Sequence, residues 1–187
     1  MKIKSNASSD EISSPFYEVN KIFCSEFESY IVLKNGKVKG EYNAWSYLIF
    51  GKITAPSNWT LMYKKSTLSS GNLFFSSEYQ NLLVLAQWKT LIKDTNNSEF
   101  IIRKKARGDF LKKIVDKSLT EFELTDKYTL EVKGEKPKLI THLTDVLENL
   151  FLSGEIYRIE YRNDELKIEM RTKKHHFDIF DKLTAEI

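Results

Sequence analysis

Three polar side chains, His142, Asp145 and Asn149, recur at three- and four-residue spacing, which on a helix gathers them into one narrow arc. An imidazole beside a carboxylate is the chemistry of proton transfer or of a divalent metal site. No second His or Cys stands at a spacing that joins them, and an amphipathic helix carries its polar residues on such an arc, so a solvated face is expected. His175 and His176 are adjacent. A strand would point them to opposite faces and a helix would set them about 100° apart, so they form no chelating pair and are expected on the surface between a strand and a helix. Glu26 with Glu28, and Glu121 with Glu123, supply paired carboxylates, but nothing marks one member as acid and the other as base. Cys24 is the single cysteine, lies near Phe23 and Phe27, and has no helix start or basic neighbour to activate it. It reads as a small buried hydrophobe. The seven glycines never form a Gly-rich turn between strand and helix, so both the P-loop and the dinucleotide fingerprint are absent. No catalytic residue, metal site or cofactor is expected.

Binding chemistry is better represented. Arg103, Lys104, Lys105, Arg107, Lys112, Lys113 and Lys117 place seven basic residues in one stretch against Asp109 and Asp116, a local charge of +5 in a chain whose total is +3. The remainder therefore sums to −2. A helix opened by Gly108-Asp109 and running to about Lys117 would turn Phe110, Leu111, Ile114 and Val115 inward and the lysines outward, where phosphates of a nucleic acid or an anionic membrane surface could meet them. Asp109 opposes a tight phosphate site, because as a cap it would satisfy the amides an anion needs. Trp45, Tyr47, Trp59 and Tyr63 could stack on bases, but their alternation reads as core. The first expectation for function is thus a non-catalytic binding or protein-interaction module, its partner a protein or a second copy of the chain. Nucleic-acid or anionic-surface binding through residues 103–117 comes second, and an enzyme with a site assembled from distant residues third.

At 187 residues, 41% hydrophobic and 13% aromatic, the chain can bury a substantial core and is no disordered segment. Its apolar runs, such as Leu82 to Ala86, are far shorter than a membrane span. The polar start MKIKSNASSDEISSPF has no apolar block of a secretory signal, so a cytoplasmic location is expected, although a removed membrane anchor would leave a start of the same kind. The lone cysteine suits a reducing compartment.

These residues must be positioned by an α+β fold. Residues 1–15 are expected as a flexible tail and residues 16–187 as one domain, with a possible subdivision near 95–100. Asn35-Gly36 between Tyr30–Lys34 and Lys37–Tyr42 predicts a two-residue hairpin. Strands follow over Ala44–Thr54 and Trp59–Lys65. Ser76 or Ser77 caps a predicted helix to about Ile92, with a strand through Leu82–Ala86 as the competing reading. Strands are predicted over Phe100–Arg103, Leu119–Leu124 and Tyr128–Lys133.

The apolar stripe Leu139, Ile140, Leu143, Val146, Leu147, Leu150, Phe151 between Pro137 and Gly154 predicts a helix with marked ends. Asn163-Asp164 then turns a hairpin in which Arg162 faces Glu165, Glu160 faces Lys167 and Arg158 faces Glu169, while Tyr161, Ile159 and Tyr157 meet Leu166, Ile168 and Met170. Opposite charges on one side and apolar pairs on the other predict one wet and one dry face. With a terminal helix over about Phe177–Ala185, the pattern predicts a two-layer sandwich. Its sheet is largely antiparallel with helices on one face, its N-terminal half β-rich and its C-terminal part a β-α-β-β-α unit.

Overall fold

The computed structural model describes residues 2–66, 84–93, 98–106, 109 and 119–187. The chain is mixed α/β and dominated by sheet, and it divides into two units, residues 1–88 with 171–175 and residues 89–170 with 176–187.

In the first unit, β1 (Ile3–Ser5) pairs in parallel with β2 (Lys37–Tyr42). Beyond β2 come β3 (Tyr47–Ile53), β4 (Trp59–Lys65) and β5 (Val84–Leu91, of which residues 84–88 fall in this unit), in that order. The first fifteen residues, expected as a tail, therefore hold a strand. They also hold a helical turn, α1 (Ser9–Ile12), started by a capping box in which Ser8 and Glu11 satisfy each other's amides.

The predicted hairpin at Asn35-Gly36 is overturned. Tyr30 to Leu33 end a nineteen-residue helix, α2 (Pro15–Leu33), which Ser14 caps at its N-terminus. Asn35 sits at φ 53°, its amide donates to Val32 O at 2.9 Å, and the Gly36 amide donates to Ile31 O at 2.8 Å. That is a Schellman helix end, which needs the same left-handed residue as a hairpin turn. Gly36 has its own reason: a Cβ there would lie 2.6 Å from both Ile31 Cγ2 and Lys52 O.

Asn20, Cys24, Phe27 and Ile31, spaced 4, 3 and 4 apart, form the buried stripe of α2. It lies against a dry sheet face built from Tyr47, Ile49, Gly51 and Ile53 of β3 and Trp59, Leu61 and Tyr63 of β4, paired across the antiparallel ladder. A Cβ on Gly51 would come within 2.6 Å of Ile31 and 2.8 Å of Phe27, so helix and sheet touch there. β5 corrects the helix expected up to Ile92. Val84, Ala86, Trp88 and Thr90 are buried in strict alternation with more exposed neighbours, and a period of two decides for strand. The expected start of that helix, residues 76–83, lies outside the described residues.

The second unit orders its strands β10-β9-β6-β8-β7: β6 (Glu99–Lys104), β7 (Leu119–Glu121), β8 (Tyr128–Lys133), β9 (Ile156–Arg162) and β10 (Glu165–Met170), all paired antiparallel. The hairpin register runs as counted from the sequence through five pairs, Arg162 with Glu165 to Arg158 with Glu169. The sixth is shifted. A bulge pairs Met170 with Ile156 instead of Tyr157, which leaves Tyr157 exposed. The predicted long helix is two, α3 (Leu139–Val146) and α4 (Glu148–Ser153), broken at Leu147 and ended by Gly154 at φ 76°. Ile140, Leu143, Leu147, Leu150 and Phe151 of its stripe are buried nevertheless, with Phe151 meeting Tyr128 edge-on at 5.2 Å and Phe122 at 4.7 Å. The terminal helix, α5 (Phe177–Glu186), starts after His176, itself in the left-handed region at φ 55°.

Candidate interaction surface

The basic stretch that drew attention in the sequence is only partly presented to solvent. Arg103, on β6, points its guanidinium at two carboxylates. Nη1 and Nη2 donate to Asp109 Oδ2 and Oδ1 at 2.7 and 2.8 Å, and Nη2 donates to Glu131 Oε1 at 3.0 Å. Asp109 is buried and its Oδ2 also accepts the Ala106 amide at 2.6 Å. Hydrogen bonding to Asp109 above all, then to Glu131, raises the guanidinium's proton affinity against the opposing effect of burial. Arg103 is thus a structural clamp across the β6–β8 edge and the turn that follows. Lys104 and Lys105 are exposed. Arg107, Lys112, Lys113 and Lys117 lie outside the described residues, as does the helix expected to carry them beyond Asp109.

The sheet face that continues from Arg103 is also internally paired. Glu160 has Arg158 at 3.2 Å, Lys167 at 3.5 Å and Arg162 at 3.8 Å, Arg162 reaches Glu99 at 3.4 Å, and Lys89 meets Glu165 at 2.8 Å. Its charges neutralise one another and do not gather into a field of one sign.

The other sequence candidates resolve in different directions. His142, Asp145 and Asn149 are exposed along the solvent side of α3 and α4. Asp145 borders a cleft with Phe122, Ile140 and Thr141, closed on one rim by the 2.8 Å pair of Lys136 and Glu123. Cys24 is buried, and burial, helped by the Glu28 carboxylate, pushes its thiol up to about 12. It cannot serve as a nucleophile at ordinary pH. The histidines were expected on the surface, but the first is buried and the side chain of the second is only 12% exposed. His175 is buried, stacks on Phe23 at 3.7 Å, and donates Nε2–H to the Phe23 carbonyl at 3.0 Å. His176 Nε2 lies 2.8 Å from Glu155 Oε2. Both rings hold chain segments in place. Among the described residues no three of His, Cys, Asp or Glu converge to hold a metal ion.

What the sequence reading missed is on α2. Its inward side is already committed to the core, yet its outward side carries exposed apolar residues as well. Val19, Ile22, Glu26, Ser29 and Leu33 succeed one another at spacings of 3, 4, 3 and 4, the repeat of a helix seam, and all are exposed. Phe16, one turn before Val19, lies to one side of this row and is exposed too, its ring 5.7 Å from that of Trp45, and Ile12 of α1 precedes it. The six apolar side chains Ile12, Phe16, Val19, Ile22, Leu33 and Trp45 are 48% to 80% exposed. Trp45 was expected in the core with Tyr47, Trp59 and Tyr63. The other three are buried, but Trp45 sits in the turn before β3, where Asn43 Oδ1 accepts the Trp45 and Ser46 amides at 2.9 and 2.8 Å and holds the indole outward.

No protein-family model matches the sequence, and no curated protein matches it. Among the described residues, no helix is long and apolar enough to cross a membrane.

Proposed function

We propose that the chain is a non-catalytic protein-interaction module that docks its partner on the outward face of α2. The observation that carries this reading is a helix with one side filled by the core and, on the side open to water, Val19, Ile22 and Leu33 exposed in one row with Glu26 and Ser29. Clustered exposed apolar side chains mark interaction sites, and Phe16 and Trp45 are the flat, rigid side chains that anchor interfaces. The architecture that fits is a sheet with helices on one face in each unit, a two-layer arrangement that leaves the outer side of the covering helix for recognition. Anion binding through residues 103–117 draws less support, because Arg103 is held by two carboxylates.

The test places a photo-crosslinking side chain at position 19, 22 or 142 of the full chain, in the cells that make it. A discrete adduct is expected from positions 19 and 22 and none from 142. Absence of any adduct at 19 and 22 would sink the reading.

A further inference from the structure

We infer that the partner presents a basic amphipathic helix, apolar along its centre and lysine- or arginine-bearing where it crosses Glu26; this rests on the interaction reading above. Residues 9–33, which make up α1 and α2, carry Asp10, Glu11, Glu18, Glu26 and Glu28 against Lys21 alone, a net charge of −4 in a chain of net +3. The apolar row is therefore framed by predominantly negative charge, with Lys21 and the C-cap Lys34 as the cations beside it. Glu18 is exposed and has Lys21 at 3.2 Å. Glu26 is 60% exposed, stands within the row between Ile22 and Leu33, and comes no nearer than 3.7 Å to His175 Nε2.

Its place in the seam decides between kinds of partner. Val19, Glu26 and Leu33 are seven apart, as are Ile22 and Ser29, so Glu26 falls where a two-helix seam buries a side chain. A second copy of the chain aligned in parallel would bury Glu26 against Glu26. Aligned antiparallel about the middle of the helix, it would bury Glu26 against Ile22. The first juxtaposes like charges and the second strands a carboxylate among apolar atoms, and each is strongly unfavourable. A lysine or arginine on the facing helix turns the same position into a paired group that fixes register and excludes self-pairing. The seam from Val19 to Leu33 covers fifteen residues, about 22 Å of helix, enough for two heptads of a partner.

The experiment uses the full chain and two labelled synthetic helices about three heptads long, one of leucine and lysine and one of leucine and glutamate, read by fluorescence anisotropy. The leucine–lysine helix is expected to bind at least about tenfold more tightly than its acidic counterpart. Val19→Glu with Ile22→Glu should weaken it at least about tenfold, and Glu26→Gln several-fold. The double glutamate variant adds negative charge, so unchanged or tighter binding would mean bare electrostatic attraction and would overturn the inference. Should that variant fail the circular-dichroism check for folding, Val19→Ser with Ile22→Ser takes its place with the same expected loss. Equal or preferred binding of the acidic helix would overturn the partner class while leaving an interaction surface in place. Binding of neither helix overturns it too, and crosslinking at position 19 then tells whether the interaction reading falls with it.

Discussion

Tyr63 donates its hydroxyl proton to the backbone oxygen of His175 at 2.6 Å across 112 positions of sequence, while Trp88 Nε1–H donates to the same hydroxyl at 3.1 Å. One buried oxygen thus ties a strand, its neighbour and a returning segment together. Tyr63→Phe keeps the ring and takes one partner from each of the other groups. It should lower stability by about 1 to 3 kcal/mol. Urea denaturation of both proteins checks this, and a difference below about 0.5 kcal/mol would mean the hydroxyl is not a tie.

The Arg103 clamp predicts a second effect. Asp109→Asn leaves a guanidinium, its side chain only 20% exposed, with one of its two carboxylates, and weakens the acceptor of the Ala106 amide. A loss of about 2 kcal/mol is expected. In a double-mutant cycle with Arg103→Met the coupling should account for most of that loss. Additive effects would show the two side chains act separately.

Asn35 and Gly36 should respond in opposite ways. Asn35 holds φ 53°, which glycine adopts without strain, so Asn35→Gly should change stability by less than about 0.5 kcal/mol, whereas Asn35→Ala should cost about 1 kcal/mol. At Gly36 the obstacle is the Lys52 carbonyl, which cannot rotate away. Gly36→Ala should therefore cost about 1 to 3 kcal/mol, and a neutral result by thermal melting would contradict the close approach.

Alkaline pH should unfold the chain earlier than its charge suggests. Burial first, and the Glu28 carboxylate second, push the Cys24 thiol from 9.0 to about 12, and burial pushes Tyr128 from 10.0 to about 12. The folded chain keeps these groups protonated while the unfolded chain releases the protons near their ordinary values. Stability is then fully present below about pH 9 and is lost as pH rises toward 12, Cys24 alone accounting for on the order of 2 kcal/mol near pH 10.5. Urea midpoints across that range should fall, and Cys24→Ala should flatten the fall. A thiol that labels rapidly in the native state at pH 8 would contradict its burial.

The legible parts of the sequence were those with one apolar face. Trp59–Lys65 and Tyr128–Lys133 stand at the bounds their alternation indicated, and five hairpin pairs follow from Asn163-Asp164 because a period of two leaves one register that puts all charges on the wet face. Helix α2 was hidden by the property that makes it interesting. With apolar residues on both sides, its 3.6-residue period is blurred, and Asn35-Gly36 serves a helix end as well as a hairpin. Ser14-Pro15 as cap and first turn, together with the 19, 22, 26, 29, 33 spacing, was the signal available. Arg103 escaped for another reason: its partner Glu131 comes from a neighbouring strand 28 positions away, and a charge count cannot see that pairing.

The segment Arg171–His175 belongs to the first unit although 82 residues of the second precede it. During synthesis β1 to β4 and α2 emerge before the strands of the second unit, but the hydroxyl of Tyr63 and the ring of Phe23 wait for His175, which follows those strands. The aromatic cluster behind α2 is completed only after residues 89–170 of the other unit have been made, so a chain truncated before Arg171 would lack the piece that closes the first unit.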